Sequence, residues 1–187
     1  MQNCFIFNDV LDSQSCDLIS DYVINNVNNS FKDLNKPPWD EKDNIPLSHV
    51  NDKEIKQFIK MFRFHVGLLA MQSFNIVLYP EFTDLVLWRT GRSMASHIDN
   101  GYGNNSELQK RVVSTVTYLN DDFKGGETFV KDNENKIFVN KPIKGSMICF
   151  YSDKKSWHGV NLVESGNRIT LPIWFTDDPK AQEDLKY

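Results

Sequence analysis

Two of the four histidines stand near groups that could share a metal ion. His97 and Asp99 are two positions apart, so in an extended segment they point to the same side. His158 follows the apolar run SMICFYS and opens GVNLV. Two imidazoles and one carboxylate make the facial set that suits iron(II) and leaves positions open for a cosubstrate and O2. Arg168 comes ten positions after His158, with Thr170 two further on. In a sheet, ten residues can run out along one strand and back along its neighbour, which would turn the guanidinium into the same cavity. A planar fork of donors is the natural partner of a carboxylate. A dicarboxylate such as 2-oxoglutarate would chelate the metal at its keto-acid end and meet Arg168 at the other.

The tripeptide His97-Ile98-Asp99 alone is weak evidence, because such triplets also occur in solvated turns. The downstream His158 and Arg168 are what lift it. A zinc or nickel site of cupin type would use similar ligands in a similar barrel, and metal content with oxygen dependence would separate the two. His49 lies in a polar stretch and His65 in a helical one, neither with a partner at ligand spacing. Structural or surface roles are expected for both.

The elements that must position these residues fall into two textures. Phe5 to Phe7 reads as a short strand, and Asp12-Ser13 then caps an amphipathic helix to about Val27. Leu18, Ile19, Tyr22 and Val23 are expected on its buried face. Residues 28–51, rich in Asn, Asp and Pro, read as an irregular loop. Asp52 opens a second helix in which Ile55, Phe58, Ile59, Phe62, Val66 and Leu69 recur at helical spacing. From residue 82 the chain breaks into β-branched and aromatic runs separated by Gly, Asn, Asp and Lys clusters. Gly125-Gly126 read as a turn that lets GETFV begin a strand. The pattern predicts an α+β fold: a double-stranded β-helix (jelly roll, cupin-like) of about eight strands, with N-terminal helices packed on one face. No linker is evident, so 1–187 reads as one domain, with 1–75 mainly helical support and 76–187 the jelly-roll core.

Composition narrows the function classes. With 187 residues, 40% hydrophobic and 12% aromatic, the chain has the makings of one buried core. The net charge of -4 argues against a nucleic-acid partner. No run is long and apolar enough to span a membrane, and the start lacks the pattern of a secretory signal, so a cytoplasmic protein is expected. The three cysteines, Cys4, Cys16 and Cys149, suggest neither a disulfide framework nor a zinc finger.

Several segments resemble the prolyl hydroxylase branch of the 2-oxoglutarate oxygenases. They are HIDN (97–100), RVVSTVTYLNDDFKGGETFV (111–130), GSMICFYS (145–152) and HGVNLVESGNRITLPIWFTDDP (158–179), together about half the chain and in the right order. YLNDDFKGGETF and WFTDDP are especially similar to the catalytic domain of leprecan-type prolyl 3-hydroxylases, and nearly as similar to prolyl 4-hydroxylases. The resemblance implies Fe(II) on His97, Asp99 and His158, with 2-oxoglutarate and O2 as cosubstrates and ascorbate as an auxiliary reductant. It assigns Arg168 and Tyr118 to the distal carboxylate of 2-oxoglutarate, with Thr170 steadying Arg168 or touching the cosubstrate. It places Arg111, Trp174 and Asn100 near the substrate. Arg111 is equally compatible with an exposed strand-start charge and Trp174 with core packing, while for Tyr118 the ligand role is favoured over that of a core aromatic.

Two departures bear on the substrate. Prolyl 4-hydroxylases carry tyrosines nine and three residues before the first metal histidine, where this chain has Trp88 and Met94. Collagen-modifying relatives are secreted, and this start shows no signal peptide. The implied reaction is hydroxylation of an unactivated C–H with release of succinate and CO2. Asp99 favours hydroxylation, since related halogenases replace that carboxylate to admit chloride. The expected substrate is a prolyl residue in a peptide or protein. The alternatives are a free amino acid or small metabolite, nucleic-acid repair, which acidity disfavours, and a non-catalytic or zinc-bearing cupin-like binding protein. A monomer or homodimer is expected. The 28–51 loop with Pro37-Pro38-Trp39, and Asn100-Gly101-Tyr102-Gly103, are candidate lids.

Overall fold

The computed structural model describes residues 3–27, 43–101 and 108–186. The strand β1 (Cys4–Phe7) leads into helix α1 (Ser13–Asn26), whose first turn is closed by Asp12 accepting from the Ser15 N–H at 2.9 Å. Strand β2 (Asn44–Pro46) and a short 3-10 turn (Leu47–His49) precede helix α2 (Lys53–Phe74). Asp52 caps α2 by accepting from the N–H groups of Glu54 and Ile55, and Asn75 ends it in the left-handed conformation. The remaining strands are β3 (Tyr79–Arg89), β4 (Met94–His97), β5 (Val113–Tyr118), β6 (Lys124–Gly125), β7 (Thr128–Asp132) and β8 (Ile137–Asn140). They continue with β9 (Met147–Tyr151), β10 (Ser156–Val160), β11 (Val163–Ser165) and β12 (Asn167–Thr176).

All strand pairs are antiparallel. They form a six-stranded sheet in the order β1-β9-β5-β12-β3-β2, a four-stranded sheet β4-β10-β7-β8, and a small pair β11-β6. The two larger sheets face each other across Cys4, Val130, Ile148 and Phe150 in the jelly-roll arrangement. Strand β12 shows why the sequence builds it this way. Ile169, Leu171, Ile173 and Phe175 point outward and pack with Ile19, Val23, Ile59 and Val66 of the helices. Arg168, Thr170, Pro172 and Trp174 alternate with them and line the space between the sheets. Because both faces are covered, every second residue of this strand is committed either to the helices or to the site.

The structure corrects several details of the sequence reading. The buried stripe of α1 is Cys16, Ile19, Ser20 and Val23, while Leu18 is exposed, one residue off that stripe. In α2, Phe58 and Leu69 sit at the margin of a stripe that continues through Ala70 and Phe74. The described end of the expected loop, residues 43–51, contains β2, which adds an edge to the main sheet. Pro46 is tolerated there because an edge strand leaves one row of N–H groups unpaired. Among the described residues ten strands follow α2 where about eight were expected, β1 falls on the expected Phe5–Phe7 strand, and β2 is additional. The Pro37-Pro38-Trp39 segment and Tyr102-Gly103 lie outside the described residues. Among the described residues no helix is long and apolar enough to cross a membrane.

Candidate active site

His97 ends β4, and His158 sits opposite it as its Cα partner in β10. Both strands belong to the four-stranded sheet, so the ladder itself brings the imidazoles side by side, with ring centroids 4.3 Å apart. Asp99 follows in the segment after β4, where the Asn100 N–H donates to the Ser152 carbonyl at 2.9 Å and ties that segment to the end of β9. One potential ligand atom from each of His97, Asp99 and His158 lies within 4.8 Å of the others. Among the described residues no other group of this kind forms. His49 and His65 are both exposed and lie outside it.

The hydrogen bonds leave the ligand atoms aimed at one another. His97 Nδ1 lies 2.9 Å from the Ala95 carbonyl, and His158 Nδ1 lies 3.2 Å from the Ser156 carbonyl. A carbonyl only accepts, so each Nδ1 carries a proton and each Nε2 is left to take a metal or a second proton. Those Nε2 atoms approach Asp99, His97 at 3.6 Å from Oδ1 and His158 at 3.3 Å from Oδ2. Ser114, reaching across from β5, donates to Asp99 Oδ2 at 2.6 Å and lies 2.7 Å from the Ser152 hydroxyl. Burial alone would raise the Asp99 pKa, but His158, His97 and Ser114 outweigh it and hold the carboxyl well below the usual range. Burial opposes protonation of His97, yet the neighbouring Asp99 lifts its pKa above the ordinary histidine value. Two neutral imidazoles and a carboxylate converging on one point form a donor set that a divalent cation such as Fe(II) fits.

Arg168 reaches the same cavity from the opposite sheet. Strand β10 leaves the four-stranded sheet, passes through β11, and returns as β12 in the six-stranded one. The expected run out and back on neighbouring strands is therefore a crossing between sheets. Arg168 is 1% exposed, and its described partners are all uncharged. Nη2 donates to Thr128 Oγ1 at 2.9 Å and Nη1 to Thr170 Oγ1 at 3.4 Å, while Nε has no partner among the described residues. Its guanidinium carbon stands 5.2 Å from the Trp88 ring and 5.1 Å from the Tyr118 ring. Burial lowers its pKa, with Tyr118 partly offsetting the effect. A buried cation without a counter-charge among the described residues is costly, and an anion entering the cavity would offset that cost.

The other expected site residues take varied places. Thr170 and Trp174 line the cavity, together with Trp88, Met94 and Val86. Tyr118 is fully buried. Its hydroxyl accepts from the Thr128 N–H at 2.8 Å and lies 3.0 Å from Thr128 Oγ1 and 3.3 Å from the Asn140 carbonyl. Arg111 is held by Glu81 at 3.0 Å and stacks 4.4 Å over the Trp174 ring. Asn100 is fixed through its backbone, as described above. Gly126, read as a turn residue, also packs against the site: an added Cβ would meet Arg168 Cδ at 3.0 Å.

Three residues escaped the sequence reading: Ser114, Thr128 and Gly159. The first two are hydroxyl residues that face the cavity from β5 and β7, where other polar residues of the same strands masked them.

The sequence model of the 2OG-Fe(II) oxygenase superfamily matches residues 82–176, just over half the chain, and that span contains the triad and Arg168. The chain belongs to the 2OG-Fe(II) oxygenase superfamily. Within the superfamily, human prolyl 3-hydroxylase 2 is 40% identical over 75 residues, which cover 39% of this chain and 11% of that protein. Chicken prolyl 3-hydroxylase 1 is 31% identical over 146 residues, covering 72% of this chain and 20% of that protein. The chain thus spans a fifth or less of the length of these relatives. The structure of a Trichoplax adhaerens prolyl hydroxylase in complex with a hypoxia inducible factor peptide fragment superposes with a TM-score of 0.72. It is 21% identical and covers 95% of this chain and 84% of that one, a likeness of fold.

Proposed function

We propose that this chain is an Fe(II)- and 2-oxoglutarate-dependent dioxygenase that hydroxylates a prolyl residue in a peptide or protein, releasing succinate and CO2. The observation that carries the reading is a single cavity holding His97 and His158 of one sheet with Asp99 beside them, and on the other sheet Arg168, which has only uncharged hydrogen-bond partners among the described residues. His97, Asp99 and His158 would hold Fe(II), and Arg168 would take the far carboxylate of 2-oxoglutarate. Bound together with O2, that pair supplies the oxidising power to replace an unactivated C–H by C–OH. The chain's own work is placement and exclusion. Ser114 fixes Asp99, the two backbone carbonyls orient the imidazoles, and Trp88, Val86, Phe150 and Val160 wall the cavity with apolar surface that keeps water out.

Proline as the target is supported by likeness to the prolyl 3-hydroxylases and by the Arg111–Trp174 stack, which offers a flat apolar ring and a cation beside the metal cavity. A single domain over 1–187 is supported by β1 and β2, which join the same sheet as β12. The test incubates the protein with Fe(II), 2-oxoglutarate, ascorbate and air, together with either proline-rich peptides or free amino acids. Succinate and a hydroxylated product should form in equal amounts, with a prolyl peptide as the acceptor. Coupled turnover with a free amino acid alone would replace the peptide reading by its rival. Absence of succinate with every acceptor would remove the enzyme reading.

A further inference from the structure

We propose that Glu81 and Lys186 are positioning residues for the acceptor substrate: together they hold Arg111 flat on Trp174 and so fix one wall of the cavity. This rests on the dioxygenase reading above, in which the cosubstrate is anchored at Arg168. Arg168, Thr170, Pro172 and Trp174 are the residues of β12 that line the cavity. Six residues of strand at about 3.3 Å each put the Trp174 Cα roughly 20 Å from that of Arg168. A five-carbon diacid anchored at Arg168 cannot span that length, so the Trp174 end of the row is left for a second ligand. Under the proposed function that ligand is the acceptor.

Trp174 owes its surroundings to an irregularity in β3. It pairs with Phe82, and Phe175 pairs with Pro80, so Glu81 is the extra residue of a bulge. In an unbroken strand Glu81 and Phe82 would face opposite sides of the sheet. Here both reach Arg111. Glu81 Oε2 accepts from Arg111 Nε at 3.0 Å. The guanidinium carbon stands 5.8 Å from the Phe82 ring and 4.4 Å from the Trp174 ring, and the two rings lie 5.8 Å apart. The other carboxylate oxygen, Oε1, accepts from Lys186 Nζ at 2.7 Å, and Lys186 also donates to the Glu81 carbonyl at 3.3 Å.

Lys186 reaches Glu81 from a segment that is fastened on its own account, since Glu183 accepts from Arg63 and from Thr83, each at 2.7 Å. Glu81 is buried and Arg111 nearly so, while Lys186 is 29% exposed. Packing alone would be served as well by an apolar residue at position 81, because a buried ion pair adds little net stability. What the carboxylate adds is direction. It offers one oxygen to each of two cations and keeps Arg111 down on the indole. Without it the two neighbouring cations repel, Arg111 lifts, and Trp174 loses its cover.

The test compares wild type, Glu81→Gln and Lys186→Met as full chains, with two readouts. The first is steady-state turnover of a proline-rich peptide, varying peptide and 2-oxoglutarate in turn. The second is the near-ultraviolet circular dichroism of Trp174, isolated by difference from Trp174→Phe in each background. Glu81→Gln should raise the peptide KM about tenfold, as expected for loss of a hydrogen bond between charged groups, and leave the 2-oxoglutarate KM near that of wild type. It should also lose most of the Trp174 signal. Lys186→Met should shift both readouts in the same direction, and Lys186→Arg should restore them. An unchanged peptide KM or an unchanged Trp174 signal in Glu81→Gln overturns the proposal, as does an equal rise in the 2-oxoglutarate KM. Should Glu81→Gln fail to fold, Lys186→Met decides by the same comparison. Wild type that forms no succinate with any peptide removes the prolyl reading, and the acceptor role of this wall with it.

Discussion

Ser114 holds one oxygen of the Asp99 carboxylate. Its hydroxyl occupies Oδ2 at 2.6 Å and is itself backed by Ser152, so Oδ1 is the oxygen with fewer claims on it. Ser114→Ala should therefore weaken Mn(II) or Fe(II) binding by about 10- to 100-fold, the usual effect of losing an outer-shell partner, while Ser114→Thr should retain most of it. Metal titration of the purified variants checks this, and an unchanged affinity for Ser114→Ala would leave Ser114 a packing residue. Asp84 makes a separate residue-scale prediction. Burial on β3 pushes its carboxyl from 3.8 up to about 7, despite the hydrogen bond from Asn44. The folded state thus keeps a proton that the unfolded state releases. Asp84's contribution to stability should fall as pH rises from about 4 to about 7 and level off above, by on the order of a few kcal/mol in all. Denaturant unfolding across this range should give a flatter profile for Asp84→Asn, and parallel profiles would contradict it.

At the scale of elements, the site depends on how closely β4, β10 and β7 approach. Gly159, next to His158, lies where an added Cβ would come within 2.5 Å of the Met94 carbonyl and 2.5 Å of the Phe129 ring. Gly159→Ala must push β10 away from its neighbours. It should cost about 1–3 kcal/mol of stability and lower metal affinity, because the His158–His97 pairing moves with the strand. Thermal unfolding and metal titration of the same variant test both effects together. This dependence was not legible in the sequence, since a glycine between His158 and Val160 looks like any turn residue until the partner strand is known. His97, Asp99, His158 and Arg168 were legible, because rare residue types at fixed spacings carry the signal. The route joining His158 to Arg168 was not, since whether a ten-residue return stays in one sheet or crosses to the facing one depends on partners far along the chain. Helix positions followed from Asp12 and Asp52, yet the misplaced Leu18 shows that a periodic stripe can be offset by one residue when the hydrophobic pattern is broad. Strand β2 was hidden by Asn and Pro, which are poor strand formers but acceptable at an edge.

For the whole molecule, the two facing sheets form the two jaws of the cavity, with His97 and His158 on one and Arg168 on the other, and under the proposed function these would hold the metal and the anion. The outer face of the six-stranded sheet is braced by both helices, and α2 is tied to β3 by a buried link. Arg63 donates to Glu183 at 2.7 Å, and Glu183 also accepts from Thr83 at 2.7 Å. The Arg168 jaw is thus fixed from behind, while the ligand jaw is fixed by its own ladder and by Ser114 reaching between the sheets. Joint binding of Fe(II) and 2-oxoglutarate between the two jaws is the central claim. It is tested most directly by adding 2-oxoglutarate to the Fe(II)-loaded protein without oxygen and following visible absorption. A charge-transfer band should appear at one equivalent, vanish in His97→Ala and Asp99→Ala, and require much more 2-oxoglutarate in Arg168→Ala. No band in the wild type, or a band undiminished in the His97 and Asp99 variants, would contradict the account.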